Sequence, residues 1–375
     1  MNKQTLIKLL GLVFILLLFL MFFCQSDFAS VLLSDPLLIA SKVRDQDELR
    51  LAEADSQIAL WKLNKTLPLN INTMLDYNGN HNLLIIIITS NRGHRRVDSF
   101  EPYYLTQTSI ALFKSLLSKR GRDFKNVGKI KVLVCTISHI NDSSHDVYGG
   151  ELIRLRRTFG PNIFISPPRH PDNSCKHTRD MSSCISLGIK KFPESDAVVV
   201  LEDDFLVTKH FHSVLDLYAK QLGKSVLSLY PPSHDGHLKI YFYIILSIFC
   251  LLTLAVSLHV FRKKWIGYMP AFAALISIIL LLDEYNKAEI PTIFPAQDPN
   301  SRGLGAAVIL PKEIAAKVSE VDYKMTCHSG KGKRIARIAS ELGYSILNVR
   351  PSAVVHIGMY SQTRDKIYDP NLFPH

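Results

Sequence analysis

The sequence predicts an α/β domain with a largely parallel sheet, tethered by an N-terminal membrane anchor and interrupted by a transmembrane helical hairpin. Two observations carry this reading. Short β-branched runs alternate with helix-patterned segments, and three apolar stretches are long enough to cross a bilayer. Of the 375 residues 47% are hydrophobic and 21% charged, proportions that exclude disorder, a coiled coil and a small disulfide-stapled module. The charged fraction also excludes a membrane bundle throughout.

The chain opens with residues 1–8, whose Lys3 and Lys8 keep the short N-terminus in the cytosol by the positive-inside rule. A bilayer core takes about 20 mostly apolar residues in helix. Residues 9–24 meet that need and end in Phe22-Phe23-Cys24 rather than at a small-residue cleavage site, so they read as a signal anchor. Two further spans are expected at 239–261 and 265–282, joined by Arg262-Lys263-Lys264. Two apolar runs broken only by three cations make a hairpin whose turn faces the cytosol. Residues 25–238 and 283–375 then share one aqueous compartment. If it is the secretory lumen, Asn64-Lys65-Thr66 and Asn141-Asp142-Ser143 are N-glycosylation acceptors. Cys135, Cys175, Cys184 and Cys327 face the same oxidising side; Cys175 and Cys184 are closest in sequence, among three possible pairings.

Within the aqueous part, residues 27–60 carry Leu49, Ala52, Ile58 and Leu60 at helical spacing among many charges, a helical stem. Leu83-Leu84-Ile85-Ile86-Ile87-Ile88 is apolar on both faces, as a central parallel strand is, and Thr89-Ser90-Asn91-Arg92 follows as a loop at its carboxyl end. A helix is predicted at 105–119, a second buried strand at 130–137 and a weaker third at 163–165 before Pro167-Pro168. Residues 181–191 read as a helix and 197–201 as another all-apolar strand. Open sheets of this kind bind ligands at the carboxyl ends of their strands, which places the site near residues 89–92 and just after Leu201.

Directly after Leu201 stands the acidic triplet Glu202-Asp203-Asp204. Three consecutive carboxylates at the end of a buried strand repel one another unless something neutralises them. A hard divalent cation does so, because Mn²⁺ and Mg²⁺ prefer oxygen ligands and bridge substrate phosphates. This arrangement resembles the acidic motif of sugar-nucleotide-dependent glycosyltransferases of the GT-A type. The segment Thr89-Ser90-Asn91-Arg92, followed by Tyr103-Tyr104-Leu105-Thr106-Gln107-Thr108, looks like the first nucleotide-binding strand, loop and helix of that fold. Arg179-Asp180 stands where family members touch the donor, and His356-Ile357-Gly358-Met359-Tyr360-Ser361 is similar to a C-terminal histidine segment of the family. With the anchor and hairpin added, the chain resembles the Golgi N-acetylgalactosaminyltransferases that decorate glycosylphosphatidylinositol (GPI) anchors after their attachment to protein. N-glycan-branching N-acetylglucosaminyltransferases share a similar triplet and histidine motif.

The resemblance implies a multi-pass Golgi protein with a lumenal catalytic domain. It would transfer N-acetylgalactosamine from a UDP-sugar to a mannose of the glycan on GPI-anchored proteins, with inversion at the sugar carbon. It implies Mn²⁺ or Mg²⁺ held by Glu202, Asp203 and Asp204, with Asp204 the foremost ligand and His356 an additional one. Thr89, Arg92, Arg179, Asp180 and Arg364 would meet the donor, the guanidinium groups offering forked donors to phosphate oxygens. Inverting transfer also needs a base for the acceptor hydroxyl. Asp322 occupies a position like that of the family's acidic residue, and Asp283, Glu284 and Glu289 are the alternatives. Beyond the UDP-sugar and the GPI-anchored protein, the lipid bilayer is a partner, and the hairpin would limit the height of the domain above it. The net charge of +11 does not indicate nucleic acid: no basic run exceeds three residues and none is interleaved with aromatics. Polar residues in the spans are too few for a transporter. An N-acetylglucosaminyltransferase acting on another glycan, or a non-catalytic membrane scaffold with a transferase-like domain, remain the other two readings.

Overall fold

The isoleucine run forms β1 (His81–Thr89) and is buried on both faces. Leu83, Ile85 and Ile87 enter one core cluster; Leu84, Ile86 and Ile88 enter the other. Alternate residues are buried equally only in a strand covered by a layer on each side. The computed structural model from which this is read describes residues 36–64, 75–90, 101–118, 124–137, 147–167, 176–221, 225–230, 291–296, 302–320, 330–358, 360–361 and 366–367. The expected spans at 9–24, 239–261 and 265–282 lie outside these residues, as does the turn between the last two. Among the described residues no helix is long and apolar enough to cross a membrane. The chain divides into two compact units, Met1–Ile39 with Ser233–Ile290, and Ala40–Pro232 with Pro291–His375. The described residues belong to the second, apart from Pro36–Ile39.

The fold is mixed α/β. β1 pairs in parallel with β2 (Val127–Thr136) and with β4 (Ala197–Glu202), and β3 (Phe164–Ile165) adds in parallel beyond β2. On the other flank come β8 (Ala307–Pro311), β6 (Ser225–Ser228), β9 (Ser345–Arg350) and β7 (Thr292–Pro295), giving the order β3-β2-β1-β4-β8-β6-β9-β7. β8 runs against both its neighbours and β7 against β9, so the sheet is mixed rather than largely parallel. The reason lies in how the chain arrives. Among the described strands β8 follows β7, which lies at the far edge of the sheet, rather than either of its own neighbours β4 and β6, so no direct crossover sets it parallel to them.

Helices cover both faces. Against the face of Ile85 and Ile87 lie α1 (Pro36–Leu63), α2 (Tyr104–Leu117), α3 (Val147–Phe159) and α5 (Phe211–Lys220). Their anchors include Trp61, Phe113 and Phe159, whose rings pack together. Against the face of Leu84 and Ile86 lie α4 (Lys176–Lys191), α6 (Lys312–Ser319) and α7 (Lys331–Glu341). α4 passes so close over β1 that a Cβ at Gly188 would stand 2.7 Å from the Ile86 Cδ1. That approach offsets the ~1 kcal/mol a mid-helix glycine costs. Outside the main sheet, β5 (Phe205–Val207) pairs antiparallel with β10 (Val354–His356), and β11 (Tyr360–Ser361) with β12 (Lys366–Ile367).

The strand order locates the site. From β1 the chain moves outward through β2 to β3, then returns by α4 on the opposite face to place β4 on the other flank of β1. The order therefore reverses between β1 and β4, and their carboxyl ends form the switch point at which open α/β sheets bind ligands.

One pairing is corrected. Cys184 bonds to Cys135, not to Cys175, its nearest neighbour in sequence. Cys135 near the end of β2 and Cys184 on α4 share one core cluster, with their Cα atoms 5.8 Å apart, so the bond staples a helix to the sheet it covers. Cys175 and Cys327 lie outside the described residues. Peptide mapping without reduction should therefore recover Cys135 linked to Cys184. Cys184→Ser should lower the unfolding free energy by about 2–4 kcal/mol, as expected for a loop of this size. A Cys175–Cys184 peptide, or an unchanged melting temperature in the variant, contradicts the assignment.

Candidate functional site

β4 carries the acidic triplet to this switch point in register with β1, Ile88 standing opposite Glu202. The Asp203 N–H donates to the Ile88 carbonyl at 3.0 Å, and the Glu202 N–H donates to that of Ala306 at 3.0 Å. The chain turns at Asp203 and Asp204 before resuming as β5.

Each carboxylate meets a different element. Glu202 forms an ion pair with Lys331, the first residue of α7. Asp203 is buried, its Oδ2 accepting the Thr89 hydroxyl at 2.6 Å and its carbonyl accepting the Thr108 hydroxyl of α2 at 2.6 Å. Asp204 is buried beside His356, with Nε2 to Oδ2 at 3.4 Å. The β5–β10 ladder makes this meeting, since His356 stands opposite Phe205, and the Ile357 N–H donates to the Asp204 carbonyl at 2.8 Å.

The next residue has to be glycine. A Cβ at Gly358 would run into the Asp204 carboxylate, so a side chain there would drive the histidine segment off the triplet. The imidazole is walled by Phe205, ring centroids 4.9 Å apart, and by Tyr230 at 6.5 Å. Burial, and secondarily the Asp204 charge, push the Tyr230 phenol up to about 12.

A fourth carboxyl is buried nearby against α2. Glu151 of α3 is buried, and its Oε1 accepts the Thr106 N–H in the first turn of α2 at 2.7 Å, the favourable end of the helix dipole for an anion. Burial nonetheless dominates and raises its pKa to about 7, with the Asp203 and Glu101 charges adding to the rise and the Thr106 bonds opposing it.

Of the sequence-predicted site residues, the structure brings Thr89, Asp203, Asp204 and His356 to one end of the sheet and gives Glu202 a protein partner. Arg179 is buried and Asp180 half-buried near the start of α4. Asn64, just past α1, is exposed; Lys65 and Thr66 of its triplet lie outside the described residues. Arg92, Asn141, Asp322 and Arg364 lie outside the described residues, as do Asp283, Glu284 and Glu289. Among the described residues no cluster of three or more His, Cys, Asp or Glu could hold a metal, because the three acidic side chains are drawn to separate partners. Asp204 with His356 is a two-residue set. Such a set fits a cation that takes its remaining ligands from water and substrate phosphates.

Sequence reading missed Thr108, Lys331 and Glu151. Thr108 and Gly358 fall inside motifs that the sequence marked, but their contacts come from chain crossings. No local signal points to Lys331 or Glu151. No family model matches this chain, and no curated protein matches it.

The Glu151 carboxyl binds its proton more tightly in the folded chain than at its ordinary value of 4.5. Its contribution is therefore complete below about pH 4.5 and is lost as the pH rises through about 7. The loss amounts to roughly 3 kcal/mol over that interval. Melting temperatures measured across pH 4–8 (about the range needed) should fall more steeply for the native chain than for Glu151→Gln. Parallel profiles would remove Glu151 as the titrating group.

Proposed function

We propose that the chain is a metal-dependent inverting glycosyltransferase of the GT-A type, moving N-acetylgalactosamine from UDP to a mannose of the GPI-anchor glycan. The observation that carries the proposal is the meeting of Asp204 and His356, far apart in sequence, at the carboxyl ends of β1 and β4. The sequence resemblance, which covers the order of anchor, acidic triplet, hairpin and histidine segment, supports the sugar and the acceptor.

In this reading Asp204 and His356 hold Mn²⁺ or Mg²⁺, and the cation when bound neutralises charge on the departing nucleotide diphosphate. Asp203 positions the turn by locking it to β1 and α2 through Thr89 and Thr108. Glu202, paired with Lys331, holds the triplet against α7. Phe205 and Tyr230 shield the imidazole from solvent on the ring side. Arg92 and Arg364 remain proposed for the diphosphate and Asp322 for the acceptor proton. The domain works in the Golgi lumen, held at the membrane by its anchor and hairpin.

A specific observation favours the non-catalytic scaffold as the second reading: Glu202 and Asp203 are held by Lys331 and Thr89 rather than gathered with Asp204 and His356, as in a domain that no longer recruits a cation. The two diverge in one experiment. The full chain, solubilised in detergent, is incubated with a panel of UDP-sugars, Mn²⁺ and a GPI-anchored acceptor, and the acceptor is weighed by mass spectrometry. A gain of one N-acetylhexosamine from the UDP-N-acetylgalactosamine arm is expected; a gain only from the N-acetylglucosamine arm selects that sugar instead. Asp204→Asn should cut turnover at least ~100-fold and weaken Mn²⁺ binding measured by electron paramagnetic resonance. Normal turnover in that variant, or no transfer from any donor, ends the proposal.

A further inference from the structure

A cavity of about 470 Å³ lies between α1, α2 and the segment from β5 into α5, within the size range of small-molecule sites. Its lining includes neither His356 nor any residue of the acidic triplet. Part of its lining is apolar, supplied by Ala54 of α1, Ile110 of α2, and Leu206 and Val207 of β5. Cations reach it from all three walls: Arg50 from α1, Lys114 from α2, and Lys209 between β5 and α5. The lining holds one carboxylate, Glu53, which is paired with Lys114 at 2.5 Å.

Arg50 is held in a way that surface packing does not require. Its Nη2 donates to Asp47 Oδ1 at 2.6 Å and its Nε to Gln107 Oε1 at 2.8 Å. Gln107 in turn donates to Asp47 Oδ1 at 3.1 Å and to the Pro102 carbonyl at 2.7 Å. The Asp47 side chain is fully buried and Gln107 nearly so. Burying a carboxylate is costly, and burial raises the Asp47 pKa against the pull of Arg50 and Gln107. The arrangement fixes the guanidinium plane at the cavity wall while using two of its five N–H donors. A pre-oriented fork of this kind matches the oxygens of a phosphoryl group, and Lys114 and Lys209 add point charges around it.

We propose that this cavity binds a phosphoryl group carried on an apolar chain, Arg50 gripping the phosphoryl oxygens and the apolar lining taking the chain. The site is independent of the transferase reading. A phosphorylated lipid and a soluble phosphate ester share this chemistry, and the carrier tells them apart.

The test is calorimetric titration of the detergent-solubilised full chain, at low salt, with three probes: hexyl phosphate, inorganic phosphate and hexanol. Hexyl phosphate should bind saturably, inorganic phosphate at least ~10-fold more weakly, and hexanol not at all. Lys209→Gln, an exposed change that leaves the buried network intact, should weaken hexyl phosphate about tenfold. Arg50→Lys, which keeps the charge and removes the fork, should weaken it at least as much. Asp204→Ala should leave hexyl phosphate binding unchanged, which separates this cavity from any diphosphate site at the triplet. Equal affinity for hexyl and inorganic phosphate would overturn the apolar carrier. No saturable binding of hexyl phosphate, or binding indifferent to both the Lys209 and Arg50 changes, would overturn the site.

Discussion

Three adjacent carboxylates at the mouth of a buried strand set the terms for the rest of the domain. Unit charges about 4 Å apart interact by roughly 4 kcal/mol near a protein surface, a large share of what holds a domain folded. The structure meets this by dispersal. Glu202 goes to α7 through Lys331, Asp203 to β1 and α2 through Thr89 and Thr108, and Asp204 to the β5–β10 ribbon through His356. Both helical layers and the ribbon are thereby tied to one turn. The same dispersal leaves a single carboxylate beside an imidazole, which is a different centre from three carboxylates converging on one point.

The site also depends on how closely backbones can approach. Gly358 lets the chain after β10 close over Asp204, and the Ile357 N–H fixes that closure on the Asp204 carbonyl. These are contacts of main chain and of an absent side chain, so they constrain the position of His356 without adding chemistry of their own. Glu151 illustrates the opposite case. There the helix end favours the anion while burial and the neighbouring acids disfavour it, and burial prevails.

Much of this is legible in the residues, for definite reasons. A run such as Leu83 to Ile88, apolar at every position, has few options other than a strand buried on both sides, and Ala197 to Leu201 has the same character. Given two such strands in parallel, their carboxyl ends meet, which is why Thr89 and Asp203 are neighbours as the sequence leads one to expect. The direction of β8 was not legible, because Ala307 to Pro311 looks the same in either orientation. Nor was the partner of Cys184, since sequence proximity says nothing of two cysteines that face each other across a helix–sheet interface. The Lys331–Glu202 pair and the Asp47–Arg50–Gln107 network join segments with no shared pattern, so only the folded chain displays them.

The position of β8 has a further consequence. It sits between β4 and β6, yet it is made only after the ribosome has passed residue 290. Until then the nascent chain carries two strands with exposed edges and no strand to separate them, the kind of edge that recruits unwanted partners. Completion of the sheet therefore waits on everything encoded between Ser228 and Thr292. A defect in that intervening stretch would leave a half-built sheet with its inner edges open.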